Sequence, residues 1–377
     1  MTYDPEAPRI LIVRLSAIGD CVMASPVAEA LRQRFPRAHL AWAVGEKSRA
    51  VVQGNPFLDE VLLWHKGRLG FWKLLRQVRA GRFDIVLDMQ GLLKSTALTW
   101  LSGAPRRLIS PRFGRLARFS ATEYVEHPPG FIYPPLRYLC WAASLGVTAE
   151  LGVDAQLRVP VSEADRVTAQ KLLEEHAITP QTTLIALNPG VSVENRKWPV
   201  SKFADAACLL ARRVPDARFV VLGGPGDTAD AARLQSTIGD QCWSAAGKLS
   251  LTGTAALLER CAVVLTNDTG PMHIAVAVNT PVVGVFGPVA AERRLPPALL
   301  AEGYHQGVQH NEPCRALGRP QCVRGEACAC LGRVMPDEVA ETIERVLRIT
   351  KGRTSEPVRM QEPVRQEQVR QEQVRTL

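Results

Sequence analysis

Residues 16–20, SAIGD, place a carboxylate shortly after the apolar run ILIV, where a strand would give way to a helix. Gly19 permits a tight turn, and Asp20 would then stand at the rim of a sheet. Open parallel sheets bind ligands beyond the carboxyl ends of their strands, and a carboxylate there can take a proton from a substrate hydroxyl. Aspartate is also a common helix cap, so the pattern alone leaves both roles open for Asp20.

A second segment, NDTGPMHIA (residues 267–275), follows the strand-like run AVVLT and predicts a helix that begins near Gly270. Free backbone N–H groups at such a helix start can bind a phosphate. Asp268 would repel that phosphate, so its carboxylate must bind a sugar hydroxyl or orient the loop. Thr269 flanks the same turn, and His273 lies one turn into the helix. Helix capping beside a buried histidine is the alternative interpretation.

Two further segments also end strand-like runs. NPGVSVENRKWP (residues 188–199) carries Arg196 and Lys197, which could neutralise a leaving diphosphate or could be an ordinary solvated basic pair. LGGPGD (residues 222–227) has glycines that let the backbone approach a ligand, and Asp227 could accept hydrogen bonds from ribose hydroxyls. Glycine is routine in such turns, so this last signal is weak.

Short runs rich in Val, Ile and Leu alternate with segments of helical spacing. Predicted strands cover residues 9–15, 38–44, 83–90 and 183–190, and residues 217–227 are predicted as a strand that runs into a glycine-rich loop. Predicted helices cover residues 71–80 and 200–213. Continuous apolar strands with helices between them indicate a parallel sheet covered on both faces. The pattern restarts near residue 180, so the predicted fold class is α/β with two such halves in series.

The composition narrows the class of protein. The 377 residues suffice for two domains, and the formal net charge of +9 favours an anionic partner such as nucleic acid, a membrane surface or a phosphorylated substrate. The first apolar run is too short for a secretory signal, and no stretch approaches the length of a membrane span. Five scattered cysteines fit a reducing compartment, so we expect a cytoplasmic protein.

Three blocks of the sequence resemble the heptosyltransferases of lipopolysaccharide core synthesis, glycosyltransferase family nine. They are ILIVRLSAIGDCVMASPVAEALR, LNPGVSVENRKWPVSKFADAA and LTNDTGPMHIAVAVNTPVVGVFGP, and the resemblance spans residues 9–347. The third block is the most specific, because aspartate, threonine, glycine and histidine stand at the family's spacing before a strand that ends in FGP.

The resemblance implies a GT-B fold, in which two Rossmann-like domains face each other across a cleft. Residues 1–170 would bind the acceptor, residues 171–335 would bind the nucleotide sugar, and a closing helix at 336–350 would return to the first domain. Residues 351–377 form a low-complexity repeat with little apolar content, and we expect this tail to be disordered.

The resemblance also implies an inverting, metal-independent transfer of heptose from ADP-heptose to the inner core of lipopolysaccharide, a Kdo/heptose acceptor on lipid A. No cofactor is expected. Asp20 matches the family's catalytic base, and Arg196 is the candidate contact to the leaving diphosphate. The donor-binding candidates are Lys197, Asp227, Asp268, Thr269, Gly270 and His273.

One position departs from the family pattern, which usually reads Lys-Arg-Trp-Pro. Here RKWP places Arg196 two residues before Trp198, with Lys197 beside the tryptophan. Arginine keeps the charge but presents a planar fork of donors. Arg196 is therefore assigned the phosphate contact, with Lys197 as the alternative, and the identity of the sugar stays open.

An arginine-rich stretch, PRRLISPRFGRLARF (residues 105–119), lies in the predicted acceptor half. It could dock the acidic sugars and lipid phosphates of a lipid-linked oligosaccharide, in peripheral contact with the inner membrane. A solvated surface loop is the alternative. The acceptor-binding candidates are Ser16, Arg106, Arg107 and Arg112.

Four cysteines, Cys314, Cys322, Cys328 and Cys330, lie within 17 residues. Structural zinc sites usually pair ligands two to four residues apart, and the spacing C-x7-C-x5-C-x-C fits such a chelate poorly. We expect reduced thiols here and no bound metal.

Two other classes of protein account for part of the pattern. One is a nucleotide-sugar enzyme of the same fold that acts on another sugar or catalyses a different reaction such as epimerisation. An epimerase would not need a base at Asp20. The other is a non-catalytic module that binds an anionic ligand. Nucleic acid is disfavoured, because the sequence has no recognition-helix motif and no aromatic-rich basic strand.

Overall fold

The computed structural model describes residues 4–111, 114–128, 130, 132–147, 155–310 and 329–352 of the chain. Within these residues, two six-stranded parallel β-sheets follow each other along the chain, and helices cover both. The α/β class predicted from the sequence is confirmed.

The first sheet is built from the N-terminal half of the chain. Its strands are β1 (Arg9–Val13), β2 (His39–Gly45), β3 (Glu60–Trp64), β4 (Ile85–Asp88), β5 (Arg106–Ile109) and β6 (Glu123–Tyr124). Its helices are α1 (Ile18–Ala24), α2 (Pro26–Arg34), α3 (Arg68–Ala80), α4 (Leu93–Leu101), α5 (Arg115–Ser120) and α6 (Pro134–Ala143).

The second sheet is built from the C-terminal half. Its strands are β7 (Thr183–Asn188), β8 (Ala217–Val221), β9 (Cys242–Ser244), β10 (Val263–Asn267), β11 (Val282–Val285) and β12 (Gln306–Val308). Its helices are α7 (Glu163–Glu175), α8 (Val200–Arg213), α9 (Thr228–Ile238), α10 (Leu251–Leu258), α11 (Gly270–Ala277), α12 (Pro297–Ala301), α13 (Ala329–Arg333) and α14 (Pro336–Lys351).

Both sheets have the strand order of a Rossmann fold. The first runs β3-β2-β1-β4-β5-β6, and the second repeats that order as β9-β8-β7-β10-β11-β12. The direction of winding reverses between β1 and β4, and again between β7 and β10. Ligands bind at such switch points, beyond the carboxyl ends of the strands. The topology therefore defines two candidate ligand sites, one on each sheet.

Strand β1 illustrates why these sequences form sheets covered on both sides. Ile10 and Ile12 point into one apolar core, and the alternating Leu11 and Val13 point into another on the opposite face. All four side chains are fully buried. A strand that is apolar at every position must be covered on both faces, which is how parallel sheets are built.

The boundary between the two domains lies earlier than the sequence indicated. We expected the first domain to extend to residue 170, but α7 packs against α10 of the second domain. Arg166 makes a two-pronged ion pair with Glu259, and Thr252 donates a hydrogen bond to Asp165. Helix α7 therefore belongs with the second sheet.

Helix α14 begins at Pro336, as predicted, but it packs mainly on the second domain, whereas a return to the first was expected. It packs on α8 of the second domain, and Arg213 reaches across to Asp337 and Glu344. Its apolar face joins the core that contains Phe203. The physical reason is burial, because Val339, Ala340, Ile343, Val346 and Leu347 form one stripe that the second sheet covers.

Several sequence predictions lie wholly or partly outside the described residues. These include the expectation for the tail beyond residue 352 and that for three of the clustered cysteines, Cys314, Cys322 and Cys328. The fourth, Cys330, is buried in the second core. Across the part of the chain that the structure describes, no helix is both long and apolar enough to cross a membrane.

We predict that Ile343→Ala lowers the free energy of unfolding by about 2–4 kcal/mol, because it removes a fully buried side chain between α14 and the second sheet. Urea denaturation followed by circular dichroism measures the change. Glu341→Ala, at an exposed position on the same helix, is the matched control. Equal stability of the two variants would contradict the docking of α14.

Candidate active site

Asp20 is the third residue of α1, directly beyond the carboxyl end of β1. Its Oδ2 accepts the N–H of Ala17 at 3.3 Å and pairs with Nη2 of Arg14 at 2.5 Å. The capping role that the sequence left open is therefore real. It occupies only Oδ2, because Oδ1 makes no hydrogen bond to any residue that the structure describes. A third of the Asp20 side chain is exposed.

The neighbouring strand end supports the β1–α1 connection. Gln90 follows β4, accepts the N–H of Leu15 and donates to the Ser16 hydroxyl at 3.3 Å. Its own N–H, like that of Gly91, donates to the fully buried carboxyl of Asp88. Burial raises the pKa of Asp88. These contacts hold Ser16 and Asp20 at the switch point between β1 and β4.

The second switch point is organised by asparagines at the ends of β7 and β10. Asn188 donates to the hydroxyls of Thr266 and Thr269 at 2.8 and 3.0 Å. The Thr269 hydroxyl thus bonds to Asn188 and does not cap α11. Helix α11 begins at Gly270, as predicted, and its first backbone N–H groups are available to an anion.

Asp268 is almost fully buried and is paired with two arginines. Its carboxylate oxygens lie 3.2 Å from Nη1 of Arg196 and 3.3 Å from Nε of Arg294. The three residues follow β10, β7 and β11, which are adjacent in the sheet. Asp268 was expected either to bind a sugar hydroxyl or to orient its loop. This geometry favours an orienting role, because the carboxylate holds both guanidinium groups beside the start of α11.

Sequence reasoning missed Arg294. It lies in AERRLPP, which reads as an ordinary charged loop, and only tertiary structure brings it to Asp268. The other candidates were identified as polar residues that follow the carboxyl end of a strand. Arg294 meets the same criterion, because it follows the carboxyl end of β11. The sequence pattern predicts no role for Asn188, the first residue of NPG, or for Asn267, the first residue of NDTG.

Trp198 fixes the loop that carries Arg196. Its backbone N–H donates to Oδ1 of Asn267 at 3.0 Å, and its indole donates to the carbonyl of Val334. The amide of Asn267 in turn donates to the carbonyl of Pro189. The fully buried indole therefore anchors the RKWP segment, and Arg196 is placed by that anchor.

The two switch points face each other, and the starts of α1 and α11 are in contact. A methyl group at Gly19 would stand 2.7 Å from Cδ2 of His273, and one at Gly270 would stand 3.3 Å from Ile18. Only glycine fits at position 19 without moving a neighbour. The contact brings Asp20 of the first domain close to the arginine pair of the second.

His273 lies at the centre of this contact. Burial lowers the pKa of its imidazole to about 4, and four charged groups from both domains also act on it. These groups are Asp268, Arg294, Asp20 and Arg196. The imidazole is therefore neutral at physiological pH, and its ring packs against Gly19 at the start of α1.

The other donor-site candidates lie away from this cluster. Lys197 pairs with Asp230 of α9 at 2.9 Å, and this contact raises its pKa. Asp227 accepts the N–H of Gly224 at 2.8 Å and packs against Gly190. It therefore joins the loops after β7 and β8, at the edge of the second switch point.

Two of the acceptor-binding candidates lie away from Asp20. Arg106 and Arg107 begin β5, at the amino edge of the sheet, whereas Asp20 lies at the carboxyl edge. Arg106 makes a two-pronged ion pair with Glu123, and Arg107 donates to the carbonyls of Ser120 and Ala104. Both guanidinium groups serve the fold. Arg112 lies outside the described residues.

Two Rossmann-like domains whose strand-end sites meet across a cleft define a protein of the GT-B glycosyltransferase fold. The family model for glycosyltransferase family 9 (heptosyltransferase) matches residues 71–316. The chain therefore belongs to glycosyltransferase family 9, and it is a glycosyltransferase.

Individual relatives agree with this assignment. The chain is 24% identical to lipopolysaccharide heptosyltransferase 2 of Escherichia coli K12, over 82% of this chain and 96% of that protein. It is also 24% identical to lipopolysaccharide heptosyltransferase 1 of Campylobacter coli, over 76% and 85%. Among solved structures, the ADP-heptose heptosyltransferase II of E. coli superposes with a TM-score of 0.71, at 20% identity over 91% of this chain and all of that one. At this identity the structural likeness establishes the fold alone.

We predict that Gly19→Ala impairs both activity and thermal stability, because the added methyl group collides with His273 across the domain contact. Combining it with His273→Ala should restore part of the lost stability, which differential scanning calorimetry measures. Gly332→Ala, at an exposed position on α13, is the control, because a methyl group there meets no atom within 4 Å. A Gly19→Ala protein as stable and active as the wild type would show that the contact is not tight.

Proposed function

We propose that this chain transfers heptose from ADP-heptose to the inner core of lipopolysaccharide, with inversion at the anomeric carbon and without a metal. The acceptor is a Kdo/heptose saccharide on lipid A. The observation that carries the proposal is the juxtaposition of Asp20 in one domain with the Arg196–Asp268–Arg294 cluster in the other. The named activities of the relatives, and a related heptosyltransferase structure that contains ADP-2-deoxy-2-fluoro heptose, support the choice of donor.

On the acceptor side, Asp20 is the general base. An acceptor hydroxyl has a pKa far above neutrality, so it needs a carboxylate within hydrogen-bond reach. Arg14 and the N–H of Ala17 hold Oδ2 in place, and Oδ1 takes the proton as the hydroxyl oxygen attacks the anomeric carbon. Ser16, beside it on the exposed rim, positions the acceptor.

On the donor side, the diphosphate of ADP gains negative charge as its bond to the sugar breaks. Arg196, Arg294 and the backbone N–H groups that open α11 are arranged to stabilise that charge. With Asp268 included, the cluster carries a net charge of about +1, and the helix dipole adds to it. Thr269 and Gly270 shape the turn against which the diphosphate lies.

The inverting course follows from the placement of these groups. The base comes from the first domain and the leaving-group cluster from the second, so the hydroxyl attacks the sugar from the face opposite the departing diphosphate. A single displacement of this kind inverts the anomeric carbon. The cationic cluster and the helix start supply the stabilisation that a divalent ion gives elsewhere, which supports a metal-independent reaction.

We predict that Asp20→Asn slows transfer by about 10²–10⁴-fold and changes ADP-heptose binding less than about twofold, because the amide keeps the shape but cannot accept the proton. Purified protein is assayed with ADP-heptose, a panel of other nucleotide sugars and heptose-deficient lipopolysaccharide, with and without a chelator. Calorimetry measures donor binding.

Asp205→Asn, at an exposed position on α8, is the matched control. Donor binding without turnover in the wild type would indicate a non-catalytic module. A preference for another nucleotide sugar would overturn the assignment of heptose, and loss of activity with the chelator would overturn metal independence.

We predict that Arg196→Ala weakens donor binding and slows transfer more than Lys197→Ala does, by at least about tenfold in kcat/KM. Arg196 pairs with buried Asp268, whereas Lys197 pairs with Asp230 on α9. The two variants are matched in sequence position and charge, so each is the control for the other. The reverse order of effects in steady-state kinetics would assign the phosphate contact to Lys197.

A further inference from the structure

The positive charge of this protein is concentrated in one segment. Residues 61–120 contain twelve lysine and arginine side chains and only two carboxylates, a formal charge of +10, while the whole chain carries +9. The two carboxylates face inward, since Asp88 is fully buried and Asp84 accepts the N–H of Arg9. Arg106 and Arg107 are held in fold contacts and Arg112 lies outside the described residues, so the other nine cations face solvent with little opposing charge from this segment.

Exposed apolar side chains are concentrated in the same segment. Of the eleven large apolar residues that are exposed in the described part of the chain, six lie between residues 69 and 119. They are Leu69, Trp72, Leu92, Leu93, Trp100 and Phe119. Leu69 is 87% exposed and Phe119 is 74% exposed. Scattered single apolar residues need no explanation, but a group of this kind marks an interaction site.

These residues lie on one layer of the first domain, formed by α3, α4 and α5. The three helices pack side by side, with α4 in contact with both neighbours. Leu93 and Trp100 are seven residues apart and so share a face of α4, and the rings of Trp100 and Phe119 lie 6.0 Å apart. We call this layer the α3–α5 face.

The α3–α5 face adjoins the candidate active site. Helix α3 follows the carboxyl end of β3 and α4 follows that of β4, so Trp72 and Leu93 lie near the rim that also carries Ser16 and Asp20. Lys94 at the start of α4 lies 4.8 Å from the ring of Trp64 at the end of β3, which joins the two helix starts.

The chemistry of this face is that of a membrane interface. Tryptophan is enriched at the headgroup level of bilayers, where its ring is half solvated, and lysine and arginine near the surface attract anionic lipid. Long basic side chains can lie along apolar surface and keep their charge in water. Interfaces with protein partners are depleted of lysine. Here Lys66, Lys73 and Lys94 are all exposed, which favours a lipid surface.

We propose that the α3–α5 face docks on an anionic phospholipid bilayer, with Trp72, Trp100 and Phe119 at the headgroup level. The proposal rests on the proposed function, because a lipid-linked acceptor is what makes docking useful beside this cleft. Docking needs no acceptor, since the basic and apolar side chains bind the phospholipid itself.

The test uses the full chain and vesicles free of acceptor. Wild-type protein should sediment with phosphatidylcholine vesicles that contain 30% phosphatidylglycerol at least about tenfold more strongly than with pure phosphatidylcholine, and less so at high salt. Trp72→Ser/Phe119→Ser and Lys73→Glu/Arg76→Glu should each reduce that binding at least about tenfold. Val167→Ser/Met335→Ser and Lys171→Glu/Arg212→Glu, at exposed positions of the second domain, are the matched controls and should bind like wild type.

Circular dichroism and transfer to an acyl-free, water-soluble acceptor separate docking from folding and catalysis. Each docking variant should keep the wild-type melting temperature and turn over the soluble acceptor at the wild-type rate. Equal binding to neutral and anionic vesicles, unchanged binding by the variants, or equal loss in the controls would overturn the proposal. If the wild-type protein binds the vesicles but transfers no sugar to the soluble acceptor, the docking proposal is supported and the proposed function is refuted.

Discussion

The contact between the starts of α1 and α11 is the constraint on which the site depends. Each helix begins where a strand ends at a switch point, and the two meet because Gly19 has no side chain to hold His273 away. The base candidate belongs to the first domain and the arginine pair to the second. This packing helps to set the distance between them, and a shift of about 1 Å in such geometry is enough to cost a large factor in rate.

Asp268 offsets the repulsion between two arginines inside the second domain. Two guanidinium groups side by side repel each other, and removing them from water is costly unless they are paired. The buried carboxylate pairs with both and leaves a net positive charge at the helix start. The cluster is thus stable without a ligand and still favours an anion. Removing Asp268 would loosen the arginines, although its charge opposes the diphosphate.

The sequence predicted the local elements well and the tertiary placements less well. Helix α8 has the predicted bounds, α11 starts at the predicted glycine, and Pro336 opens α14 as expected. These features depend on near neighbours in the chain. Arg106 lies at the edge of the sheet opposite Asp20, because position along β5, not composition, decides which edge it occupies. The partner of α14 and the contribution of Arg294 depend on strand order, which composition does not encode.

The chain uses positive charge in two physically different ways. On the α3–α5 face the cations are exposed, and at physiological salt their attraction falls off over about 8 Å. Arg196 and Arg294 are largely shielded from solvent and carboxylate-paired, so salt screens their action on a bound diphosphate much less. Ionic strength therefore affects the two regions unequally. Added salt should lower the affinity for a lipid surface at concentrations that leave the affinity for a nucleotide nearly unchanged. A strong effect of salt on transfer to a lipid-linked acceptor, with little effect on a soluble one, follows from that separation of the two regions.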